Sequence, residues 1–365
     1  MRAVVLVGGE GTRLRPLTLS MPKQMLPIVG VPMLERVLGN LGRHGVDDAV
    51  LSLGYLPDAF MEAYPEDMAA GVHLSYAVEP EPLDTAGAVR FAAEHAGVDQ
   101  TFVVVNGDVL TDLDVAGLVD FHRRHRAEGT IHLHPVEDPS RFGVVPTDEG
   151  GRVTAFVEKP APGHAPTNLI NAGTYVLEPS VLDRIPAGRR VSIERETFPA
   201  IVADGGLYAM ADDTYWIDTG TPEAYVQANL DLLDGRRPGP ASPDARLAGP
   251  GIWVTGSATL EGTVTGPAFV ADGTVVAGGA TVTRSVLDAG VVVAAGASVT
   301  GSVLMAGARV GAGSTVEGSI LGPGAIVGEG CTVSGLSVLG AEVSLPDGAA
   351  IDSQRLGADG TRLDR

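Results

Sequence analysis

The sequence is short of several things, and each shortage excludes something. Cysteine is nearly absent: Cys331 stands alone. An intrachain disulfide framework is therefore excluded, which fits a reducing, cytoplasmic setting. Basic charge is scarce, with 25 Lys and Arg against 45 Asp and Glu and a net charge of −20. No broad basic face is available for nucleic acid or an anionic membrane. Long apolar runs are missing too. The N-terminal run Ala3–Val7 is too short for a signal peptide or a membrane span. Lysine is the rarest cation, since only Lys23 and Lys159 accompany 23 arginines. An arginine-rich background accounts for most of this. The lysines that remain mark places where a compact charge on a flexible stem suits better than a planar fork, as beside a phosphate that changes geometry.

What is present divides into two architectures, as a length of 365 residues allows. Residues 1–232 alternate short apolar runs with amphipathic stretches. Strands are expected at 3–7, 49–53, 72–78, 101–106, 130–136, 142–146, 153–158 and 171–177. Helical spacing appears at Met33–Leu41 and from Leu118 to His125. Such alternation predicts an α/β domain, Rossmann-like, with a mixed sheet whose early part is parallel. Residues 233–250 are rich in Pro, Gly and Arg and read as a linker. Beyond it, residues 285–301, 302–318 and 319–335 align as 17-residue repeats, with an aliphatic side chain about every sixth position. That period is wrong for a helix and too long for one strand. It fits a coil of three short flat faces, and it resembles the hexapeptide-repeat left-handed parallel β-helix over 251–345. Residues 346–365 read as a tail.

Chemistry concentrates in a few stretches. GGEGTRLRPLT (8–18) follows the first strand. It is neither a Walker A loop, lacking Gly-Lys-Ser/Thr, nor a dinucleotide loop, since Leu14 stands where a third glycine would be. Taken alone, it is either a phosphate loop or a tight surface turn with solvated arginines. Asn106-Gly107-Asp108 ends a strand, where ligands bind in open sheets. Asp218 precedes a helix start at Pro222. Mg²⁺ takes one or two carboxylates with phosphate oxygens; the alternative is a turn aspartate and a capping aspartate. The histidine pairs His122/His125 and His132/His134 lack a third ligand and read as structural.

Extended to residues 6–38, the loop reads LVGGEGTRLRPLTLSMPKQMLPIVGVPMLERVL. It closely resembles the signature of the sugar-1-phosphate nucleotidyltransferases, the nucleotide-sugar pyrophosphorylases. In the mannose-1-phosphate guanylyltransferase branch the resemblance extends to the repeat domain. Gln24 stands where that signature often has proline. The resemblance implies transfer of a nucleoside monophosphate from an NTP to a hexose 1-phosphate with Mg²⁺, releasing pyrophosphate. It assigns the nucleotide to Leu6, Gly8, Gly9, Gly11, Thr12, Arg13, Lys23, Thr85, Gly87 and Asp108. The metal falls to Asp108 and Asp218, and the sugar phosphate to Gly143, Glu158, Lys159 and Asn171. Arg13, Lys23, Asp108 and Asp218 are the catalytic set. Both lysines of the chain thus fall on phosphate-binding positions. Glu81–Ala88 resembles the guanylyltransferase base loop, with Asp84 in place of its usual glycine, and implies GTP. Thymidylyl or uridylyl transfer to glucose 1-phosphate is the alternative, and a non-catalytic regulatory subunit a further one. Residues 250–345 contain no His or Lys, which argues against acyl transfer. The coil is expected to hold a homo-oligomer together.

Overall fold

The computed structural model describes residues 1–237, 241–358 and 360–363 and divides into two compact units. Met1–Glu10 and Leu34–Ile217 form one, Gly11–Met33 and Asp218–Arg365 the other.

The first unit is built on a ten-stranded sheet. Its centre is parallel: Val72–Val78, Asp48–Leu53, Arg2–Leu6 and Phe102–Asn106 lie side by side in that order. Arg2–Leu6 and Phe102–Asn106 are apolar almost throughout because both faces are covered, whereas Val72–Val78, nearer the sheet's edge, carries exposed positions. Leu169–Leu177 then runs antiparallel to Phe102–Asn106. Gly143–Val144 and Val157–Glu158 extend the sheet beyond it, and Gly129–Pro135 also pairs with it. Most expected strands therefore appear within a few residues of their expected bounds, but 142–146 and 153–158 shorten to Gly143–Val144 and Val157–Glu158. A strand that the sequence did not announce, Leu207–Ala211, runs parallel to Gly129–Pro135. The helix Asp84–His95 covers the central strands with Ala86, Val89, Ala92 and Ala93, small enough to let it sit close. The helix Val115–His125 is capped by Asp114, whose Oδ1 accepts the Gly117 N–H at 2.9 Å. His122 and His132 are buried and face carboxylates. The His122 Nε2 lies 3.0 Å from Glu178 Oε1, and the His132 Nε2 lies 3.1 Å from Asp212 Oδ1. Burial holds the His122 imidazole below its usual pKa, against the opposing pull of Glu178.

The second unit is a three-faced coil of parallel strands in stacked sheets, consistent with the left-handed β-helix. Its 17-residue step is visible in the register Val286↔Val303↔Ile320. Leu287, Leu304 and Leu321 point inwards from one face. Val276, Val293, Val310 and Val327 come from a second, and Val282, Val299, Val316 and Val333 from the third, all buried. The serine that opens each repeat has its own task. The Ser302 hydroxyl donates to the Thr300 carbonyl at 2.8 Å and accepts the Ser319 N–H at 3.1 Å, so each corner is tied to the next coil. The step lengthens by one residue after Gly335, where Leu336 takes a left-handed φ of 59°.

Two features differ from expectation. The segment read as a tail continues the stack through Ala350–Asp352 and Arg355–Leu356 and closes with an antiparallel partner, Arg362–Leu363. A hairpin at that point turns the stack's last edge, and its sparse aliphatic content hid it. Also, Gly11–Met33 and the helix Pro222–Leu233 pack with the coil rather than following a boundary at 232. The buried Val29 N–H donates to Asn229 Oδ1 at 2.8 Å, and the Tyr225 hydroxyl donates to the Pro27 carbonyl. A Cβ on Gly30 would lie 2.9 Å from the Phe269 ring. Of the expected linker, 238–240 lie outside the described residues, as do 359, 364 and 365 of the expected tail.

Asp288 is buried beneath this packing, at the repeat position where the next coil has Met305. Burial pushes its carboxyl from 3.8 up to about 7. A carboxyl whose pKa rises on folding favours the folded state below its unfolded pKa, and that contribution is lost as pH rises through the folded value. Thermal midpoints measured from pH 4 to pH 8 should therefore show Asp288→Asn gaining on the parent as pH rises from the ordinary value of 3.8 to about 7, and the difference levelling off above that. A constant difference across that range would show that Asp288 does not titrate there.

Candidate functional site

In the first unit, the parallel strands Arg2–Leu6, Asp48–Leu53 and Val72–Val78 end at one edge, and their loops enclose a cavity of about 450 Å³. Leu6, Gly8, Gly9, Glu81 and Thr85 are among its lining. The backbone is crowded here. A Cβ on Gly8 would lie 3.2 Å from Gly54 N, and one on Gly54 would lie 2.9 Å from the Gly8 carbonyl. Two loops thus approach as closely as glycine allows, which leaves the room to a ligand rather than to side chains. Glu79 braces the wall. It accepts the Ser52 hydroxyl at 3.0 Å on one oxygen and the Leu83 N–H at 3.0 Å on the other.

The stretch expected as a base loop is half helix, for Asp84–His95 begins inside it. Asp84 has φ of 60°, in the left-handed region. This explains why glycine is common at this position of the resembling loop: a side chain there must tolerate a conformation that costs most residues about 1–2 kcal/mol. Asp84 offsets part of that cost by accepting the Thr85 N–H at 2.8 Å. Thr85 reaches the cavity, but its hydroxyl is committed. It donates to Glu194 Oε2 at 2.8 Å and accepts the Ile193 N–H at 2.8 Å. Gly87 is buried and does not line the cavity. A Cβ there would lie 2.7 Å from the Arg189 carbonyl, so close packing requires the glycine.

Sheet order places Asn106 opposite Leu6, where strand order reverses, and the Gly107 N–H donates to the Leu6 carbonyl at 3.0 Å. Asp108 follows, half-buried, just beyond that edge. In doubly wound sheets this switch point is where ligands sit.

Gly143, Glu158 and Asn171 lie on three neighbouring strands, and Lys159 directly follows the one that carries Glu158. Gly143 is in register with Glu158, and Val144 with Ile170. A Cβ on Gly143 would lie 2.7 Å from the Phe156 ring and 3.0 Å from Glu158 Oε2. Lys159 has φ of 48°, and its Nζ lies 3.5 Å from Glu158 Oε1. Asn171 sits at a bulge. Its Oδ1 accepts the Gly173 N–H at 3.0 Å and its Nδ2 donates to the Tyr175 hydroxyl at 2.8 Å. Burial drives the Tyr175 phenol far above its usual pKa, so it stays a neutral partner.

In the second unit, Gly11 takes a left-handed φ of 61° and its carbonyl accepts the Thr18 hydroxyl at 2.8 Å. A Cβ there would lie 2.9 Å from Thr18 Cγ2 and 3.1 Å from Lys23 Cβ. Thr12–Leu14 and Lys23–Met25 form single 3₁₀ turns. A Cβ on Gly220 would lie 2.6 Å from Arg13 Nη2 and 2.8 Å from Asp218 Oδ1, so guanidinium and carboxylate converge over that glycine. The Gly220 N–H also donates to Asp218 Oδ1 at 2.8 Å. Gln24 is buried, and among the described residues neither end of its amide has a hydrogen-bond partner. The proline of the resembling signature would spare that polar group. Most of the expected site residues therefore fall into three local clusters, two in the first unit and one in the second, while Gly87 packs behind the cavity and Asp108 lies just beyond the sheet edge.

Comparison with known proteins gives a consistent picture. The family model described as nucleotidyl transferase matches residues 2–235, and one described as GMPPB C-terminal domain matches 264–357. The mannose-1-phosphate guanylyltransferase of Mycobacterium tuberculosis is 49% identical over 241 residues, which cover 66% of each chain. The mannose-1-phosphate guanyltransferase of Yarrowia lipolytica is 39% identical over 263 residues, 71% of each chain. The matched stretch thus spans about two thirds of these curated relatives. Among solved structures, HddC from Yersinia pseudotuberculosis aligns with TM-score 0.55 and 32% identity, covering 62% of this chain and 97% of that one. HddC has also been solved complexed with GMP-PN.

The left-handed backbone at Asp84 makes a stability prediction. Asp84→Gly should leave the unfolding free energy within about 1 kcal/mol of the parent, while the β-branched Asp84→Val should lose roughly 1–2 kcal/mol or more. Denaturant titration of the three proteins checks this, and equal stability of the Val variant would contradict the strain.

Proposed function

The chain belongs to the nucleotidyl transferase family, and on that premise we propose that it makes GDP-mannose from GTP and mannose 1-phosphate, releasing pyrophosphate. Residues 1–232 carry the catalytic residues in this reading, and the coil from 251 through its closing strand Arg362–Leu363 is the β-helix. The observation that carries it is the convergence of Arg13 and Asp218 over Gly220, beside a loop whose Gly11 leaves no room between Thr18 and Lys23. A guanidinium and a carboxylate converging over one glycine, with Lys23 packed by its stem against the same loop, suit a polyphosphate.

A phosphate oxygen of the sugar phosphate attacks the α-phosphorus of GTP in line. The new P–O bond forms as the bond to the bridging α–β oxygen breaks, and that electron pair leaves with pyrophosphate. Positioning and charge neutralisation carry most of such a reaction. Arg13 forks onto the departing pyrophosphate and the crowded transition state. Lys23 lies between the α-phosphate and the attacking phosphate, which otherwise repel. Backbone amides of Gly8, Gly9 and Gly11 approach the triphosphate, next to Leu6 and Thr12. On the sugar side, Lys159 takes the phosphate, while Glu158 and Asn171 bond hydroxyls along the Gly143 backbone. Thr85 and Gly87 act by holding the loop and helix that carry the base site, since the Thr85 hydroxyl is already bonded and Gly87 is buried. Guanine presents adjacent N1–H and N2–H donors, which match a carboxylate such as that of Glu81 at the cavity wall.

Asp108 and Asp218 fit Mg²⁺ by their chemistry: hard oxygen donors, few in number, which leave coordination positions for phosphate oxygens. When bound, Mg²⁺ would neutralise charge developing on those oxygens. The protein acts in the cytoplasm in this reading, as a homo-oligomer joined through the coil, whose flat face carries Ile326 exposed to solvent.

Pyrophosphate release should be measured with Mg²⁺ over a grid of GTP, dTTP, UTP and ATP against mannose, glucose, galactose and glucosamine 1-phosphates. We expect GTP with mannose 1-phosphate to dominate. A different dominant pair would move the substrate assignment and keep the mechanism. Asp108→Asn should abolish turnover while leaving the thermal midpoint unchanged, and surviving activity would remove Asp108 from the metal site. Sedimentation at micromolar concentration should find an oligomer, which a monomer would refute.

A further inference from the structure

The loop carrying Arg13 is a short 3₁₀ turn, and its carbonyls can be followed in order. The Gly11 carbonyl accepts the Leu14 N–H at 2.9 Å, and the Thr12 carbonyl accepts the Arg15 N–H at 3.2 Å. The next carbonyl in this i→i+3 ladder belongs to Arg13, and its partner would be the amide of residue 16. That residue is Pro16, which has no N–H. The ladder must therefore end at the functional arginine, with a carbonyl left to be satisfied from elsewhere.

The donor comes from the far end of the sequence. Arg355 Nη1 donates to the Arg13 carbonyl at 2.9 Å. Arg355 sits in the last turn of the coil, in register with Val338 behind it and with Leu363 in the closing hairpin. A second coil residue backs the same turn, since a Cβ on Gly340 would lie 3.1 Å from Pro16 Cβ. The guanidinium is thus held by a strand with partners on both edges, and it reaches the loop at the residue where the loop's own hydrogen bonding stops. Arg13, Arg15, Arg355, Thr12, Thr221 and Glu223 line a cavity of about 470 Å³ on this side.

We propose that Arg355 is a positioning residue for the nucleotidyl transfer reaction: it supplies the donor that Pro16 lacks and fixes the turn from which Arg13 extends. The closing hairpin is then part of the machinery of the phosphate loop, in a segment that reads from sequence as a tail. A charge-assisted bond to a carbonyl is stronger than a neutral one, and small misplacements of a charge-stabilising group are costly to rate. The proposal rests on the catalytic reading above for its kinetic consequence, but not for its structural one.

Two readouts separate these. In the full chain, hydrogen exchange over residues 11–20 reports the loop without turnover. It should speed up in Arg355→Ala and return toward the parent in Arg355→Lys, which keeps a cationic donor. Steady-state kinetics should show kcat falling about tenfold to a hundredfold in Arg355→Ala, with KM for the sugar phosphate unchanged and the Lys variant partly recovered. In an Arg13→Ala background, removing Arg355 should change the rate little further, because Arg355 acts through Arg13. Unchanged exchange over 11–20 in Arg355→Ala would overturn the proposal. So would a Lys variant no better than Ala, or full additivity with Arg13→Ala. If the parent enzyme is silent on every substrate pair, the catalytic reading falls while the exchange result still decides whether Arg355 holds the loop.

Discussion

The Arg2–Leu6 strand is the constraint from which the rest of the first unit follows. It is buried on both faces and bonded on both edges, with Asp48–Ser52 in register on one side and Val103–Asn106 on the other. A strand so enclosed has no freedom of register, because a one-residue slip would break two ladders at once and turn its side chains over. Its last residue, Leu6, therefore delivers the glycine loop to one place. Its carbonyl also takes the Gly107 N–H, which brings the Asp108 turn beside that loop. The sheet edge is the consequence of two parallel pairings, and the site inherits its position from them.

Around that edge, the glycines do different work from one another. Gly8 and Gly54 allow two backbones to meet, and Gly220 makes room for a guanidinium and a carboxylate. Gly87 lets a helix lie against the Arg189 carbonyl and never reaches the cavity. Asp84 shows the converse, since a residue other than glycine can hold a left-handed backbone when its own carboxylate captures the next amide. In each case the residue type answers a steric question posed by a distant part of the chain.

The coil follows a simpler logic. One inward aliphatic side chain per face, repeated at a constant step, builds a column that each turn extends. Its stability is spread over many equivalent layers, so it tolerates single departures such as the buried Asp288 and the extra residue at Leu336. Those departures lie where the coil meets other parts of its unit or changes step.

Much of this was legible in the sequence for reasons of range. The apolar runs gave the sheet, because a strand buried on both faces must be apolar over its own length. The 17-residue step gave the coil, because its hydrophobic period is short and local. Arg13, Lys23, Asp108 and Lys159 could be named from motifs for the same reason: each motif is contiguous. The tertiary structure alone decided the rest. It alone commits the Thr85 hydroxyl to Glu194 and Ile193. It also alone joins Gly11–Met33 to the coil and makes Arg355 the donor for a carbonyl that Pro16 leaves without an amide. These depend on partners far away along the chain, and a linear pattern carries no record of which remote group will arrive at a given backbone atom.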